Sequence, residues 1–312
     1  MSHRRFLSRA LGVAAAAALA AGPAQSLPAQ SLPAQSLPAQ SLPAQLLPVH
    51  AQAQVQTARV RPATTTADRV SATFTDRAGT RSTYHLFRSK VTTAKPVGLV
   101  VYLDGDGMYG HRNYTSTWAL GGSRGVVAQA AARGYATLSI LTPDRRGTAT
   151  FWEDGRVNAA YVAELTSRIR TELGVQKTWF VGYSGGSQLI TQYLLPGHAD
   201  LMADGGGAVI TGGGGRPYRG GQQSLSTVSA ATKAGFPMLW YTGSLDDGRG
   251  TDDGYDALAD AKSGHAWYAE RGFRATRQQP AGLDHSDLGT RFGTVLAGQL
   301  DAHRAQVTRA RR

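Results

Sequence analysis

The 312-residue sequence contains no cysteine. This absence excludes disulfide bonds, catalysis by a thiol and metal sites built from thiolates. Acidic residues are also few: 21 aspartates and glutamates stand against 33 lysines and arginines, which gives a formal net charge of +12. No nucleic-acid-binding motif accompanies this charge, so we expect no nucleic-acid partner.

A long hydrophobic run is missing as well. The apolar stretch near the N-terminus, Leu11–Ala21, is too short to cross a bilayer as a permanent helix. It follows basic residues and precedes small ones, which is the pattern of a secretory signal peptide. We therefore predict a signal peptide over residues 1–25 and a protein that is secreted, either extracellular or associated with the cell envelope. An uncleaved anchor is the alternative, and the short span argues against it.

Residues 26–45 are the pentapeptide SLPAQ repeated four times. A proline every fifth residue removes main-chain donors, and one leucine per repeat is too little to bury a core. We predict a flexible, disordered linker over residues 26–66, with a repeat of no function as the other interpretation. One folded domain is then expected over residues 67–312. Its basic excess predicts a solvated surface, or weak association with anionic cell-wall polymers.

Strand and helix patterns follow one another from residue 67 onward. Alternating segments at 70–76 and 82–89 predict a β-hairpin, and the apolar run 97–103 is typical of a strand buried on both faces. Further strands are predicted within 135–143, 176–183, 205–215, 236–244 and 273–282, and helices within 125–134, 158–174, 187–195, 254–272 and 288–306. This alternation predicts an α/β fold: a mostly parallel sheet with helices on both faces and the hairpin as an antiparallel edge.

Residues 182–186 read Gly-Tyr-Ser-Gly-Gly, and Ser184 falls where a predicted strand ends and a helix begins. A sharp strand-to-helix turn of this kind needs neighbours without bulk. It also holds the serine hydroxyl above the C-terminal edge of the sheet, where α/β folds bind ligands. Ser184 is therefore the candidate nucleophile. The alternative is a glycine-rich turn with an incidental serine.

A serine nucleophile needs a base, and the base needs a carboxylate, both expected downstream with the acid first. His285 is the downstream histidine that follows a predicted strand and precedes a helix, and it is the candidate base. Asp246 stands where the preceding strand has just ended and is the candidate acid. Asp247 remains its competitor, whereas Asp252 and Asp253 are predicted to cap the following helix.

Two main-chain N–H groups are needed to stabilise the oxyanion that forms when a serine attacks a carbonyl. Gly185, the residue after the serine, is expected to supply one. The loop LDGDG at 103–107 is expected to supply the other, through the N–H of Asp106. Its carboxylate is expected to point away from the oxyanion or to pair with a base such as Arg112. A plain glycine turn is the alternative interpretation of this loop.

Aromatic residues follow several predicted strands on the side expected to hold the site. Tyr109, Trp118 and Tyr183 are candidates for contact with an acyl or aromatic substrate. Aromatic residues in loops also serve to cover the ends of a sheet, and the sequence leaves both interpretations open.

Residues 97–300 resemble the α/β-hydrolase superfamily, through GYSGG at 182–186, GSLD at 243–246, LDH at 283–285 and LDGDG at 103–107. The resemblance implies an eight-stranded, mostly parallel sheet and Ser–Asp–His hydrolysis of esters, amides or related bonds, with no cofactor or metal ion. Within the superfamily the sequence is similar to secreted bacterial polyhydroxybutyrate depolymerases and feruloyl esterases. It lacks the histidine-glycine pair of the usual oxyanion loop, which leaves the substrate open.

The function predicted from these features is hydrolysis of small-molecule or polymeric carboxylic esters by a secreted serine hydrolase, through an acyl-enzyme. A serine peptidase or amidase, or an acyltransferase, would use the same residues. A non-catalytic protein that binds the cell wall is the alternative from another class. The oligomeric state and the preferred acyl chain length stay open.

Overall fold

The computed structural model describes residues 67–249 and 254–310. The predicted signal peptide and linker lie outside these residues, as do Asp252 and Asp253. The strands are β1 Arg69–Thr75, β2 Arg81–Phe87, β3 Gly98–Leu103, β4 Tyr135–Ile140, β5 Thr178–Tyr183, β6 Gly206–Thr211, β7 Met238–Tyr241 and β8 Ala275–Gln278. The α-helices are α1 Tyr109–Arg112, α2 Val126–Ala131, α3 Gly155–Leu173, α4 Gly185–Gln188, α5 Leu195–Gly197, α6 Arg219–Ser226, α7 Ala230–Gly235, α8 Ala257–Glu270 and α9 Phe292–Ala310.

The eight strands form one sheet in the order β1-β2-β4-β3-β5-β6-β7-β8. The strands β4, β3, β5, β6, β7 and β8 pair in parallel, and β1 and β2 form an antiparallel hairpin at one edge. One buried cluster includes side chains of α3 and α8, and a second includes side chains of α2 and α9. Helices therefore cover both faces, and the predicted α/β fold class is confirmed.

The central strands are apolar because both of their faces are covered. Every residue of β3, β4, β5 and β6 is buried, which explains why these segments show no alternation of apolar and polar residues. The parallel register aligns Leu103 with Gly182, and Thr211 with Tyr241. The C-terminal ends of these strands thus meet at one edge of the sheet, where their loops build the site.

The helical segment after Ser184 differs from its prediction. It begins at α4, continues as a π-helix over Leu189–Leu194 and ends as α5, so it runs through Pro196 instead of stopping before it. Pro196 stands in the first turn of α5, where its missing N–H costs least. The π-helical turn separates this proline from the regular helix before it.

Two short helices, α6 and α7, were not predicted from the sequence. Both are polar and rich in small residues, and α6 buries Gly221 and Leu225 alone. Such segments contain too few apolar residues to be recognised as helices from the sequence. None of the helices in the described part of the chain is both long and apolar enough to cross a membrane.

Candidate active site

Ser184 lies at a sharp turn between a strand and a helix. It follows β5 directly and precedes α4, and its main chain has φ 49° and ψ −116°. A non-glycine residue with positive φ is strained, and strain of this kind costs about 1–3 kcal/mol and is concentrated at functional sites. Ser184 is half-buried, so its side chain is accessible from solvent.

Close contacts explain the glycines around Ser184. A Cβ on Gly182 would lie 2.8 Å from Cα of Ser187, and a Cβ on Gly186 would lie 2.1 Å from the main-chain oxygen of Leu103. These neighbours are main-chain atoms that cannot give way. The turn therefore meets the requirement for small residues around a serine at a sharp strand-to-helix turn.

Asp246 and His285 are joined by a hydrogen bond. Nδ1 of His285 lies 2.8 Å from Oδ1 of Asp246. The Asp246 side chain is fully buried, whereas that of His285 is 17% exposed, so the pair runs from the protein interior to the site. The competing residue, Asp247, is bound elsewhere: its carboxylate accepts the N–H of Arg249 and lies 3.5 Å from the guanidinium. In the structure Asp246, and not Asp247, therefore contacts the imidazole, a distinction that the sequence left open.

Two neighbouring loops carry this pair. β7 and β8 are parallel neighbours, so the loops after them leave the sheet side by side. The N–H of Leu245 donates to the main-chain oxygen of Leu283 at 2.9 Å, which ties the loops together next to the pair. Asp246 and His285 therefore meet although 39 positions separate them in the sequence.

Tyrosine rings flank the imidazole of His285. The ring of Tyr183 packs 4.9 Å from it, and the Tyr183 hydroxyl donates to the main-chain oxygen of His285 at 3.1 Å. Tyr255 meets the imidazole edge-on at 6.0 Å. Burial, and then neighbouring carboxylates, raise the pKa of Tyr183, so its hydroxyl stays protonated and available as a donor.

Ser184 and His285 both contact the end of β6. The N–H of Ser184 donates to the main-chain oxygen of Thr211 at 2.9 Å. The next residue, Gly212, lies against the imidazole, because a Cβ there would be 3.0 Å from Cε1 of His285. Within residues 67–249 and 254–310 no hydrogen bond joins the Ser184 hydroxyl to His285.

The loop after β3 reaches the turn at Ser184. A Cβ on Gly105 would lie 3.2 Å from Cβ of Ser184. Asp106 is exposed, and its Oδ2 accepts the indole N–H of Trp152 at 3.0 Å. Its Oδ1 would lie 2.2 Å from a Cβ on Gly185. The carboxylate therefore lies against Gly185. The prediction that it points away from the oxyanion or pairs with Arg112 is not met, and its other oxygen binds the indole N–H of Trp152.

The three aromatic residues predicted to contact substrate form one row. Trp118 packs edge-on against Tyr109 at 5.6 Å and against Tyr183 at 5.1 Å. Tyr109 is 55% exposed and offers accessible apolar surface, whereas Tyr183 is buried and contacts His285. Trp152, which is 39% exposed, adds a second accessible ring.

A buried pair of histidines, which the sequence did not indicate, joins β2 to α1 in the segment after β3. The ring of His85 stacks on that of His111 at 4.2 Å. The N–H of Ser71 donates to Nδ1 of His85, so Nε2 carries the proton and donates to the main-chain oxygen of His111. Burial lowers the pKa of His85, and it lowers the pKa of His111 to about 3, so both rings are neutral at pH 7.

The groups around Ser184 define what the site can do. An imidazole oriented by a buried carboxylate can accept a proton at its other nitrogen. α4 begins at Gly185, and the first N–H groups of a helix have no partner inside the helix. A base and main-chain donors therefore adjoin a strained, accessible serine. In the described ranges no group of three or more side chains is arranged to hold a metal ion.

No family model matches the sequence, and no curated protein matches it. Solved structures do resemble it. Est1E from Butyrivibrio proteoclasticus is 11% identical with a TM-score of 0.50, over 75% of this chain and 100% of that chain. Brefeldin A esterase, a bacterial homologue of human hormone-sensitive lipase, is 16% identical with a TM-score of 0.49, over 78% and 77%. XC6422 from Xanthomonas campestris, an α/β serine hydrolase without lid, is 13% identical with a TM-score of 0.49, over 76% and 94%.

The strand order, the six parallel strands and the likeness to Est1E together define the architecture: the chain has the α/β-hydrolase fold. At 11% identity this likeness concerns the fold alone. The narrower similarity to polyhydroxybutyrate depolymerases and feruloyl esterases stays a prediction.

Proposed function

We propose that the protein is a secreted serine hydrolase that cleaves carboxylic esters through an acyl-enzyme. Ser184 is the nucleophile, His285 the general base and Asp246 the carboxylate that orients it. The observation that carries this proposal is the 2.8 Å bond between His285 and buried Asp246, beside a serine with φ 49° at a strand-to-helix turn. A structural serine has no need of either feature.

Acylation begins when the Ser184 hydroxyl attacks the ester carbonyl carbon. His285 accepts the hydroxyl proton at Nε2, and Asp246 accepts a hydrogen bond from Nδ1–H and stabilises the imidazolium. The N–H groups of Gly185 and Asp106 donate to the oxyanion. Collapse of this intermediate expels the alcohol, which takes the proton from His285, and leaves the acyl group on the serine.

Deacylation repeats these steps with water in place of the serine. His285 accepts a proton from the water as its oxygen attacks the acyl carbonyl, and the same N–H donors stabilise the second oxyanion. The carbon–oxygen bond to Ser184 then breaks, and the serine recovers its proton from the imidazolium. The sequence of steps requires neither a cofactor nor a metal ion.

The surface near the site favours a substrate with an apolar or aromatic group. Tyr109, Trp152 and Leu245 are among the few large apolar side chains that are exposed, with Leu245 56% exposed beside Asp246. Apolar rims with a few polar groups are typical of small-molecule sites. Secretion, which rests on the predicted signal peptide, would place the enzyme where it meets extracellular esters.

The proposal is tested by hydrolysis of a series of p-nitrophenyl esters from acetyl to palmitoyl. The wild type is expected to release p-nitrophenol, and Ser184→Ala is expected to lose about 10⁴-fold or more in kcat/KM. The preferred chain length then measures the acyl pocket. A wild type inactive on every ester, or a Ser184→Ala variant as active as the wild type, would refute the proposal.

Ser187→Ala provides a matched control. Its hydroxyl donates to the main-chain oxygen of Thr211 at 2.8 Å and accepts the N–H of the same residue at 3.0 Å, so its role is structural. We expect lower thermal stability with kcat preserved in the folded protein. Cleavage of p-nitroanilides with no ester cleavage would instead identify an amidase, and ester products formed from an added alcohol would identify an acyltransferase.

A further inference from the structure

A buried carboxylate stands at the start of the loop that carries Asp106. Asp104 follows β3 directly and is 1% exposed. Its Oδ1 accepts the hydroxyl of Tyr102 at 2.7 Å and the N–H of Gly105 at 2.9 Å. Its Oδ2 accepts the N–H of His111 at 2.7 Å. Such partners are what allow a carboxylate to be buried, since an unpaired one costs several kcal/mol or more.

The loop closes around this carboxylate. Its main-chain donors stand on both sides of Asp106 in the sequence, Gly105 before it and Gly110 and His111 after it, so one side chain ties both ends of the loop. Between them Met108 has φ 56°, a conformation that a non-glycine residue keeps when its surroundings hold it. A Cβ on Gly110 would lie 3.2 Å from Oδ2 of Asp104, so the chain passes directly against the carboxylate.

The start of the same loop packs against the strand-to-helix turn at Ser184. A Cβ on Gly186 would lie 2.1 Å from the main-chain oxygen of Leu103 and 2.7 Å from that of Asp104. The loop and the helix that begins at Gly185 are therefore in tight contact. The carboxylate therefore sets the position of the Asp106 main chain relative to the N–H of Gly185.

We propose that Asp104 is a positioning residue of the oxyanion hole. It does not touch substrate; it holds the loop so that the N–H groups of Asp106 and Gly185 point at the same oxygen. This role rests on the proposed ester hydrolysis. Donors to an oxyanion stabilise the transition state when they are oriented before the reaction starts. Loss of Asp104 therefore lowers kcat and leaves substrate binding largely intact.

Asp104→Asn tests the proposal. The substitution preserves the shape of the side chain and replaces one acceptor oxygen with an NH₂ group. This group then faces a main-chain N–H and cannot accept a hydrogen bond from it. The measurements are kcat and KM on the preferred p-nitrophenyl ester, inhibition by an alkylboronic acid, and folding by circular dichroism and thermal melting. The boronic acid forms a tetrahedral adduct on Ser184 and so reports on the oxyanion donors without turnover.

We expect kcat to fall about 100-fold and KM to stay within about threefold, with boronate inhibition weakened by a factor similar to that of kcat. A purely structural role would reduce the folded fraction and leave boronate affinity unchanged in the protein that folds. A folded Asp104→Asn protein with wild-type kcat and wild-type boronate affinity would overturn the proposal.

Gly110→Ala displaces the loop without changing a charge. Its Cβ would lie 2.8 Å from Cβ of Ala119 and 2.9 Å from the hydroxyl of Tyr102. We expect Gly110→Ala to lower kcat and to leave KM unchanged. If Asp104→Asn does not fold, this variant tests the proposal in its place, and a wild-type kcat in Gly110→Ala would overturn it. A wild type that hydrolyses no ester would refute both the proposed function and the positioning role of Asp104. An active wild type with unaffected variants would refute the positioning role alone.

Discussion

The hydroxyl of Tyr183 donates a hydrogen bond to the main-chain oxygen of His285 at 3.1 Å, and the two rings pack 4.9 Å apart. Tyr183 is the residue immediately before Ser184. One side chain therefore connects the nucleophile turn to the loop that carries the proposed base. We therefore expect the orientation of the imidazole relative to the serine to depend on this connection.

Tyr183→Phe is expected to lower kcat about tenfold with little change in KM, because the ring remains but the loop of His285 loses its anchor. Steady-state hydrolysis of a p-nitrophenyl ester measures both constants. Tyr161→Phe is the matched control, since the Tyr161 hydroxyl also donates to a main-chain oxygen, that of Phe74 at 3.3 Å, away from the site. Equal effects of the two substitutions would show that the bond stabilises the fold and does not position the base.

Asp246→Asn and Asp247→Asn are expected to differ strongly in their effect on kcat. Asp246→Asn keeps the geometry but favours the wrong tautomer of His285, so kcat is expected to fall about 10⁴-fold. Asp247→Asn removes a charge that pairs with Arg249 at 3.5 Å and is expected to change kcat less than about threefold. The test is kcat at pH 8 for both folded variants. The opposite ranking would assign the acid to Asp247.

His111 should make the protein less stable in acid. Burial, followed by nearby His85 and arginines, holds the pKa of His111 at about 3, below its ordinary 6.5. The unfolded chain therefore binds a proton between these values that the folded chain does not. The free energy of unfolding is expected to fall as the pH drops from 6.5 toward 3, by up to about 1.4 kcal/mol per pH unit for this residue.

Urea unfolding across that pH window measures the effect. His111→Gln removes the titrating ring, so the dependence on pH should become shallower. Ser139→Ala removes the hydroxyl 2.9 Å from Nδ1 but keeps the ring, so it should lower stability at pH 7 and preserve the slope. An unchanged slope in His111→Gln would mean that other groups cause the acid sensitivity.

The carboxylate of Asp106 should oppose catalysis. It lies against Gly185, next to the proposed oxyanion, and like charges there repel. Asp106→Asn keeps the main-chain N–H and removes the charge, so kcat on a neutral ester is expected to rise about threefold. Trp152→Phe removes the indole N–H that offsets the charge and is expected to lower kcat. A fall in kcat for Asp106→Asn would show that the carboxylate assists the reaction.

Much of the fold could be predicted because buried parallel strands are continuous apolar runs bounded by glycine. β3 and β5 are of this kind, and both lie where the sequence predicts strands. The helix through Pro196 could not be predicted, since a local π-helical turn decides it. Helices α6 and α7 were not predicted because they are short and polar, and between them they bury only Gly221 and Leu225.

The candidate site was predictable where chemistry fixes the order of residues along the chain. Ser184, Asp246 and His285 each follow a predicted strand, and parallel strands bring such residues to one edge. Whether Asp246 or Asp247 meets the imidazole depends on loop geometry, which a sequence does not contain. Tyr255 was missed for a related reason: it reaches the imidazole of His285 through the tertiary fold.

The two edge strands of the sheet share a feature that matters for contacts between copies of the protein: neither offers a long, regular ladder of free main-chain groups. At one edge the register of β1 shifts between Arg69 and Ala72, with Ser71 at φ 54°, which interrupts the regular pairing of the strand. At the other edge β8 has four residues, among them Arg277. Bulged, short or charged edge strands are poor templates for a further strand. Both edges of the sheet are therefore poor sites for pairing with a strand of another copy of the protein.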